Sequence, residues 1–378
     1  MSTSRPLTVA QVVPRLDSGG VERGTLEVAQ ALVEHGHRAI VISAGGAMAR
    51  ELERLGAEHV TMPVAAKSPL TLRQVGPMRR FLRERGVDIV HARSRVPAWV
   101  CWLAWRRMNP ARRPRFVTTI HGLHSVSRYS SIMTRGEAVI AVSEAAREYA
   151  VTNYRVRSER LRVIHRGVDP QEFPHGFEPA PAWRERFFAE HPALAGRPML
   201  AIIGRLTRLK GHHDFLTMMA GLRARGVDAA GAIVGGEDPR RRGYARELRE
   251  RVRRENLDDR VAFTGERRDA REIAAEARIV LSLSSKPESF GRATLEALRL
   301  GTPVLGYDHG GVGEILSEVH PEGAVPLGDV RELVDRAATL LASPKRLAAP
   351  TDRFTKREML ERTLALYQEL AEGRAPST

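Results

Sequence analysis

The chain has 378 residues, of which 42% are hydrophobic and 28% are charged, and its formal net charge is +15. This is the composition of a globular protein, and no stretch approaches the run of about 20 apolar residues that a membrane span needs, so we expect a soluble protein. The length predicts two domains, because one hydrophobic core rarely extends over so many residues.

The N-terminal residues and the single cysteine are informative about the cellular compartment. The first fourteen residues lack the apolar core of a signal peptide, so we expect no leader. Cys101 is the one cysteine and has no partner for an intrachain disulfide, which fits a reducing cytoplasm. The positive charge would attract any polyanion, so it does not identify the ligand. A basic surface that is only solvated explains the charge equally well.

Short β-rich runs alternate with helical stretches along the chain. Such alternation predicts parallel strands joined by crossover helices. The predicted strands of a first series are 7–13, 39–43, 58–62, 87–91, 116–121, 138–143 and 162–165. Those of a second series are 199–204, 230–235, 261–265, 279–283 and 303–307. The same Rossmann-like architecture is therefore predicted twice.

The domain boundaries follow from this alternation. We expect residues 1–172 to form an acceptor-binding N-terminal domain and 198–354 a C-terminal domain that binds a nucleotide sugar. The proline-rich segment 173–197 shows no sustained strand or long helix pattern, which predicts a linker. Apolar residues at helical spacing in 355–378 predict a helix that crosses back to the first domain. Because open parallel sheets bind ligands beyond the carboxyl ends of their strands, we expect a cleft between two facing sheets.

A glycine turn follows the first predicted strand. Gly19 and Gly20 would let the backbone approach a ligand, and the helix that begins here favours an anion. The spacing is not G-x-G-x-x-G, and the second strand ends in Ser43-Ala44-Gly45-Gly46 without an acidic residue for a ribose, which argues against a dinucleotide oxidoreductase. We interpret Gly19, Gly20 and Glu22 as an acceptor or phosphate loop, although such a loop alone is as often a plain turn.

The strongest pattern is a pair of glutamates after segment 279–283. Glu288 falls in the strand-to-helix loop, and Glu296 lies in the helix about 7 Å further along its axis. The pair brackets a helix N-terminus whose N–H groups suit a pyrophosphate, with a carboxylate at each side for sugar and ribose hydroxyls. This layout fits a nucleoside-diphosphate sugar, whereas an isolated pair is as often a capped helix with one exposed and one paired glutamate.

A basic loop follows the first strand of the second series. Arg205 and Lys210 could converge on a diphosphate and neutralise the charge that grows as the sugar bond breaks. A basic pair in a loop is usually solvated, but this loop joins the carboxyl end of a strand to a helix, where an anion is expected. No D-x-D segment follows a strand and no His/Cys cluster has metal-ligand spacing, so we expect no metal.

Taken in chain order, the motifs resemble those of the retaining glycosyltransferases of family four, which have the GT-B fold. The set comprises Gly19-Gly20, His121-Gly122, Arg205 with Lys210, Glu288 with Glu296, and Gly310-Gly311 with Glu314. It extends over nearly the whole chain. The fold class that the resemblance implies is α/β, with two Rossmann-like parallel-sheet domains facing across a cleft.

The resemblance assigns site residues to three groups. The catalytic group is His121, Glu288, Arg205 and Lys210. The donor-binding group is Phe290, Gly291, Arg292 and Glu296 with the loop Gly265, Glu266 and Arg267. The acceptor or phosphate group is Gly19, Gly20, Glu22 and His91. In this scheme Glu288 holds the donor sugar, Glu296 the ribose, and His121 lies beside the reacting sugar.

Two positions depart from the family pattern. Arg93 stands where a second histidine is frequent, and Arg166 where asparagine is common. These departures concern contacts on the acceptor side. A lone histidine at a strand end is more often structural than catalytic, and only the family context makes His121 a candidate for orienting the donor sugar.

A tryptophan- and arginine-rich segment leaves two interpretations open. Residues 98–107, with further arginines up to 115, suit an interfacial helix on an anionic leaflet. They equally suit a crossover helix whose apolar face covers a sheet, because the segment lies between two predicted strands. The basic run 78–83 adds to the membrane interpretation.

The sequence thus predicts a retaining, metal-independent glycosyltransferase of the hexosyltransferase type. We expect a nucleoside-diphosphate sugar as co-substrate, no cofactor, and a saccharide or glycolipid acceptor of lipopolysaccharide or cell-envelope synthesis. The expected location is the cytoplasm, with peripheral contact to the inner face of the membrane as an option and no nucleic-acid partner. A sugar-nucleotide epimerase or hydrolase of the same fold, and a non-enzymatic polyanion-binding protein, are the alternatives.

Overall fold

The computed structural model of the protein describes residues 5–17, 19–237, 242–343, 346–348 and 353–373. They divide into two compact units. The first unit is Met1–Arg166 with Arg357–Thr378, and the second unit is Gly167–Lys356. Residues 1–4 of the predicted N-terminal domain and 374–378 of the predicted C-terminal segment lie outside the described residues.

The first unit is built on a parallel sheet. Its strands are β1 (Thr8–Val12), β2 (Arg38–Ser43), β3 (Glu58–Thr61), β4 (Ile89–Ala92), β5 (Arg115–Ile120), β6 (Ala138–Ala141) and β7 (Leu161–Val163). The seven strands are ordered β3-β2-β1-β4-β5-β6-β7. Strands β1, β2, β4 and β6 are almost wholly buried, as expected when helices cover both faces of a parallel sheet.

Crossover helices connect these strands. They are α1 (Gly20–Glu34), α2 (Ala49–Arg54), α3 (Val75–Glu84), α4 (Arg95–Arg106) and α5 (Glu144–Tyr154), with short 3-10 turns at Pro69–Gln74, Ser130–Thr134 and Ser158–Arg160. Local sequence explains where α5 begins, because the Ser143 side chain accepts a hydrogen bond from the Ala146 N–H and so caps the helix.

The second unit repeats the architecture with a smaller sheet. Its strands are β8 (Met199–Ile203), β9 (Ala230–Val234), β10 (Val261–Gly265), β11 (Ile279–Ser282), β12 (Val304–Tyr307) and β13 (Ala324–Val325). The six strands are ordered β10-β9-β8-β11-β12-β13, all parallel. Every strand predicted from the sequence is present, and β13 is an additional one. The predicted fold class, two Rossmann-like parallel-sheet domains, is confirmed.

Seven helices of the described residues surround this second sheet. They are α6 (Pro181–Glu190), α7 (His212–Ala224), α8 (Arg242–Arg254), α9 (Ala270–Glu276), α10 (Arg292–Arg299), α11 (Gly310–Val319) and α12 (Val330–Ala342), with 3-10 turns at Pro192–Leu194, Arg208–Lys210 and Pro321–Gly323. The apolar faces of α7, α8 and α12 pack with the strands into one core that includes Phe215, Leu281 and Tyr307.

Helix α6 corrects the expectation that segment 173–197 has no long helix. Pro181 occupies the first turn of α6, where its missing N–H costs nothing, so a proline-rich stretch contains the start of a helix. Trp183 and Phe187 lie one turn apart, stack at 4.8 Å between ring centroids, and are both buried. The proline-rich segment therefore contains the first turn of a helix of the second unit in addition to irregular chain.

The last helix, α13 (Lys356–Ala371), contributes to the core of the first unit. Met359, Leu364, Leu366, Tyr367 and Leu370 belong to the same buried cluster as strand residues of that unit. Their spacing is the helical pattern read from the sequence. In the parts of the chain that the structure describes, no helix is both long and apolar enough to cross a membrane.

Candidate active site

Strand order fixes where each unit can bind a ligand. In the second sheet β8 and β11 are neighbours, with Ile202 paired to Leu281, although they are far apart in sequence. The chain leaves β8 toward β9 on one side, and β11 toward β12 on the other, so the loops after these two strands diverge and leave a crevice. The Arg205–Lys210 loop and the Glu288 loop are the two loops at this switch point.

Lys210 and Glu288 meet there as an ion pair. The Lys210 Nζ lies 2.7 Å from the Glu288 Oε1, and their side chains are 33% and 24% exposed. Ser284 donates a second hydrogen bond to the same carboxylate oxygen. Burial opposes ionisation of Glu288, but the charge of Lys210 and these hydrogen bonds outweigh it, so the pKa of Glu288 lies below the ordinary value of a glutamate. The carboxylate is therefore ionised at neutral pH.

Two glycines of α11 hold the Glu288 loop in place. The Gly311 N–H donates to the Glu288 carbonyl at 2.8 Å, and a Cβ at Gly311 would collide with the backbone of Phe290. Gly310 has a φ of +58°, and its Cβ would come within 2.7 Å of the Glu288 carbonyl oxygen. A diglycine is thus needed here because the two backbones touch.

The start of α10 contains the other predicted donor-binding residues. Gly291 adopts a left-handed φ of +102° immediately before the helix, which a residue with a side chain adopts at a cost. Phe290 is buried and packs edge-on against Phe354. Arg292 forms an ion pair with Glu296 at 2.7 Å between Nε and Oε1, so the carboxylate predicted to hold a ribose has a partner within its own helix.

Arg205 and the Gly265 loop differ from one another in their surroundings. Arg205 is exposed after β8, and within the described residues it has no ion pair. Arg267, by contrast, forms ion pairs with Asp269 at 2.7 Å and with Glu190 at 2.9 Å, and the hydrogen bonds from Arg267 lower the pKa of Asp269 to about 2. Gly265 ends β10 with a φ of +74°, and Glu266 is exposed. Arg267 is therefore tied to α6.

In the first unit, the structure brings together the glycine turn, His121 and Arg166. Arg166 donates from Nη1 to the Gly20 carbonyl at 2.7 Å and from Nη2 to the His121 Nδ1 at 3.1 Å. A Cβ at Gly24 would collide with this guanidinium, so Gly24 provides the space for Arg166. Because Nδ1 accepts this hydrogen bond, the proton of a neutral His121 is on Nε2.

His121 is a neutral imidazole. Desolvation lowers its pKa well below the ordinary 6.5, and the charges of Arg166 and Arg93 lower it further. Arg166 therefore selects the tautomer of His121 and adds to the larger effect of burial in keeping the ring neutral.

A cavity of about 200 Å³ lies beside His121 in the first unit. The predicted residues His121 and Glu22 line it, together with Arg93, Arg95 and His124. Tyr149 and Tyr154 form a further wall, with their ring centroids 5.8 Å apart. This cavity combines hydrogen-bonding groups with aromatic rings, which is the surface that binds sugars and other polyols. We call it the polar pocket.

His91 does not line the polar pocket. It is 1% exposed, and its two ring nitrogens lie 2.6 Å from the Tyr367 hydroxyl and 2.6 Å from the Thr119 hydroxyl. Burial lowers its pKa well below 6.5. His91 joins strand β4 to helix α13.

Sequence reasoning missed Ser284, Thr294 and the contact between Arg166 and His121. Ser284 and Thr294 line a small cavity beside Lys210 and Glu288, and the Thr294 hydroxyl is buried with no hydrogen-bond partner in the described structure. Their positions could have identified them as site residues, because Ser284 follows β11 and Thr294 lies in the first turn of α10. Among the described residues no group of three His, Cys, Asp or Glu side chains could hold a metal ion.

Two family models match the chain, one for each half. The model described as Glycosyltransferase Family 4 matches residues 18–172, and the model described as Glycosyl transferases group 1 matches residues 184–357. The second match includes the switch point formed by Lys210 and Glu288. The first includes the polar pocket.

Named relatives agree with the models. A 2-deoxystreptamine N-acetyl-D-glucosaminyltransferase of Streptomyces fradiae is 37% identical over 48% of this chain and 44% of its own length. The lipopolysaccharide core biosynthesis mannosyltransferase LpsB of Rhizobium meliloti is 27% identical over 58% of this chain and 59% of its own length. The chain thus aligns with about half the length of each of these relatives.

A solved structure extends the likeness to nearly the whole chain. The crystal structure of a glycosyltransferase from Rickettsia africae ESF-5 superposes with a TM-score of 0.84 at 28% identity, covering 97% of this chain and 99% of that one. Sequence, fold and the motifs at the strand ends all agree. The chain belongs to the group 1, family four glycosyltransferases of the GT-B fold.

Proposed function

We propose that the protein is a retaining, metal-independent glycosyltransferase of the hexosyltransferase type. It moves a sugar from a nucleoside-diphosphate sugar to a hydroxyl of a saccharide or glycolipid acceptor. The observation that carries the proposal is the ion pair of Lys210 and Glu288, 2.7 Å apart at the switch point of the second sheet. One member suits a diphosphate and the other suits sugar hydroxyls.

The donor binds to the second unit in this proposal. Lys210, released from Glu288, pairs with the diphosphate, and Arg205 adds a second cation from the same loop. Glu288 then accepts hydrogen bonds from hydroxyls of the donor sugar, which its low pKa permits because the carboxylate is ionised. Glu296 exchanges Arg292 for a ribose hydroxyl. Binding thus replaces ion pairs within the protein by ion pairs and hydrogen bonds to the ligand.

The transfer step breaks the bond between the anomeric carbon and the diphosphate oxygen and forms a bond between that carbon and the acceptor oxygen. The acceptor hydroxyl loses its proton to the departing diphosphate on the same face of the sugar, which retains the configuration. Lys210 and Arg205 stabilise the charge that develops on the diphosphate, the part that a metal ion takes in other transferases. No further cofactor is required.

The acceptor binds to the polar pocket of the first unit in this proposal. Glu22, His121 and the tyrosines are hydrogen-bonding groups suited to a polyol. The name of the Rhizobium meliloti relative supports an acceptor of lipopolysaccharide or cell-envelope synthesis. We propose that the protein acts in the cytoplasm, at the inner face of the membrane, where such acceptors are built.

An assay of nucleotide release tests the proposal. Nucleoside-diphosphate sugars with uracil, guanine or adenine bases are incubated with and without a mixture of lipid-linked and free saccharides, and release of the nucleotide is measured. We expect release that depends on the acceptor, and a loss of at least 100-fold in turnover for Glu288→Gln. The control is Glu247→Gln, which removes an exposed carboxylate of the same unit that pairs with Arg208.

Other outcomes identify the alternatives. Release at the same rate without acceptor, or interconversion of the sugar without release, indicates a hydrolase or an epimerase. Equal rates for Glu288→Gln and Glu247→Gln would exclude the proposed site. The anomeric proton coupling of the product, measured by NMR, tests retention, and unchanged activity in the presence of EDTA tests metal independence.

A further inference from the structure

An apolar groove lies in the first unit, next to the polar pocket. Its volume is about 690 Å³, within the range of small-molecule sites. The hydrophobic part of its wall comes from Leu72, Val96, Trp99, Val100 and Leu103. Among the residues that the structure describes, no carboxylate lines it. The surface therefore suits a hydrocarbon chain.

The protein's own side chains leave the groove open to solvent. Leu72 is 48% exposed and the neighbouring Leu70 is 61% exposed, two of the few large apolar side chains that the described residues leave in water. Trp99 and Leu103 are half-buried on α4, whereas Cys101 and Trp105 on the other side of the helix are buried against the sheet. Helix α4 is thus a crossover helix with one face on the core and a second apolar face in the groove. An open, mostly apolar concavity of this volume is typical of a small-molecule site.

Two cationic side chains are part of the groove wall. Arg95 and Lys67 line it, and neither has a carboxylate partner among the described residues. The guanidinium of Arg95 lies 5.2 Å from the centroid of the Tyr129 ring and donates to the Ser130 hydroxyl at 3.2 Å. The Tyr129 hydroxyl is buried without a hydrogen-bond partner in the described structure. Two cations without a carboxylate partner among the described residues therefore remain available for an anionic group.

Arg95 also lines the polar pocket, so the two cavities adjoin. The charges of Arg95 and Lys67 both lower the pKa of His124, after the larger effect of its burial, and His124 is itself a wall of the polar pocket. The cations are therefore close to the boundary between a site for hydroxyls and a site for a hydrocarbon chain.

We propose that the acceptor is an anionic amphiphile: a saccharide or polyol linked through a phosphate to a hydrocarbon chain. The hydroxylated part occupies the polar pocket, the phosphate lies at Arg95 and Lys67, and the chain lies along the groove. This assignment rests on the proposed function, because it names the substrate class of the acceptor site. It commits the groove to the lipid part of the acceptor and not to a protein segment.

Calorimetric titration with single-chain probes tests this assignment without any enzymatic turnover. The probes are decyl phosphate below its critical micelle concentration, glycerol 3-phosphate, and decyltrimethylammonium. We expect decyl phosphate to bind at least tenfold more tightly than either of the other two. Glycerol 3-phosphate lacks the chain, and the ammonium compound has the wrong charge for Arg95 and Lys67.

Paired variants locate the binding site. Leu72→Asp should weaken decyl phosphate binding at least fivefold, while Leu327→Asp, at a similarly exposed leucine of the second unit, should leave it unchanged. Arg95→Gln should weaken it by a similar factor, and Arg73→Gln, at an exposed arginine outside the groove lining, should not. Unchanged melting temperatures show that the variants are folded.

Three results would overturn the assignment. They are equal affinity for decyl phosphate and glycerol 3-phosphate, equal effects of Leu72→Asp and Leu327→Asp, and binding only to phosphatidylglycerol vesicles with none to monomeric decyl phosphate. The third result would indicate that the apolar groove contacts a membrane surface and does not bind a single amphiphile. Binding of UDP, GDP and ADP is measured in parallel, because its absence contradicts the proposed function alone and leaves the groove to be judged by its own probes.

Discussion

Glu288 and Lys210 are useful to a transferase only as a pair that can separate. Each is partly buried, and in the absence of a ligand each compensates the charge of the other across 2.7 Å. In the proposed donor complex, the diphosphate and the sugar supply the replacement partner for each. Removing one member alone leaves the other as a half-buried charge, which costs more than the pair contributes. This exchange explains why the site combines opposite charges when its ligand is an anion.

His121 gives a test at the scale of a single residue. Arg166→Gln removes a nearby positive charge and a hydrogen bond to Nδ1, so the pKa of His121 should rise toward 6.5. NMR titration of the imidazole protons in the wild type and the variant measures this shift. Arg155→Gln, on the surface at the end of α5, is the control. An unchanged His121 pKa in Arg166→Gln would show that desolvation alone keeps the ring neutral.

Elements converge on the site because of strand order. The glycine contacts of α11 fix the Glu288 loop, and the hydrogen bonds of His91 fix α13 against the sheet. Loops after β8 and β11 form the proposed donor site, whereas loops after β1, β4 and β5 line the polar pocket together with α5. Loss of one such contact therefore moves a whole loop and not a single atom.

Gly311→Ala should weaken nucleotide binding without a change at any residue that touches the ligand. The added methyl group would collide with the backbone of Phe290 and displace the loop that carries Glu288. We expect at least a tenfold weaker affinity for the preferred nucleotide, measured by calorimetry. Gly243→Ala, where a Cβ meets nothing within 4 Å, provides the matched control. Equal affinities for the two variants would mean that the loop does not depend on the diglycine.

Tyr367→Phe should destabilise the first unit. The substitution leaves the buried Nδ1 of His91 without its hydroxyl partner, a loss of about 1–3 kcal/mol in the free energy of unfolding. Tyr154→Phe removes a hydrogen bond at a more exposed site and should cost less. Urea denaturation followed by tryptophan fluorescence compares the two, and the same stability for both variants would contradict a structural role for His91.

The sequence was sufficient to predict most elements and the proximity of Lys210 to Glu288, whose role in a donor site stays a prediction. Short β-rich runs predicted the strands, and since parallel strands end on one edge, Lys210 and Glu288 were expected near each other. The two-residue strand β13 was too short to show a hydrophobic pattern. The helix α6 was missed because the prolines around it indicated irregular chain. The ion pair of Arg292 with Glu296 and the buried position of His91 depend on side-chain directions, which spacing does not determine.

The whole molecule should lose stability in mild acid. The folded pKa of His91, a fully buried histidine, lies below the 6.5 of an ordinary histidine, so the unfolded chain binds a proton that the folded chain does not. Stability is therefore complete above about pH 6.5 and falls as the pH drops below it, by at most about 1.4 kcal/mol per pH unit for each such group. Melting temperatures between pH 7.5 and 5.0 test this, and His91→Gln should give a shallower decline.

A control keeps that test specific. His35→Gln removes a histidine whose ring bonds to a backbone carbonyl within α1 and should leave the decline as steep as in the wild type. A wild-type melting temperature that is flat from pH 7.5 to 5.0 would contradict the burial of a neutral His91.

The switch point of the second sheet should bind a nucleoside diphosphate. Calorimetric titration of the wild type and of Lys210→Ala with UDP, GDP and ADP measures this binding. We predict that one of the three binds the wild type, that its affinity falls at least tenfold in Lys210→Ala, and that a control, Arg225→Ala at the C-terminal end of α7, binds like the wild type. Binding of none of the three, or equally tight binding of the preferred nucleotide to Lys210→Ala and to the wild type, would exclude a diphosphate site here.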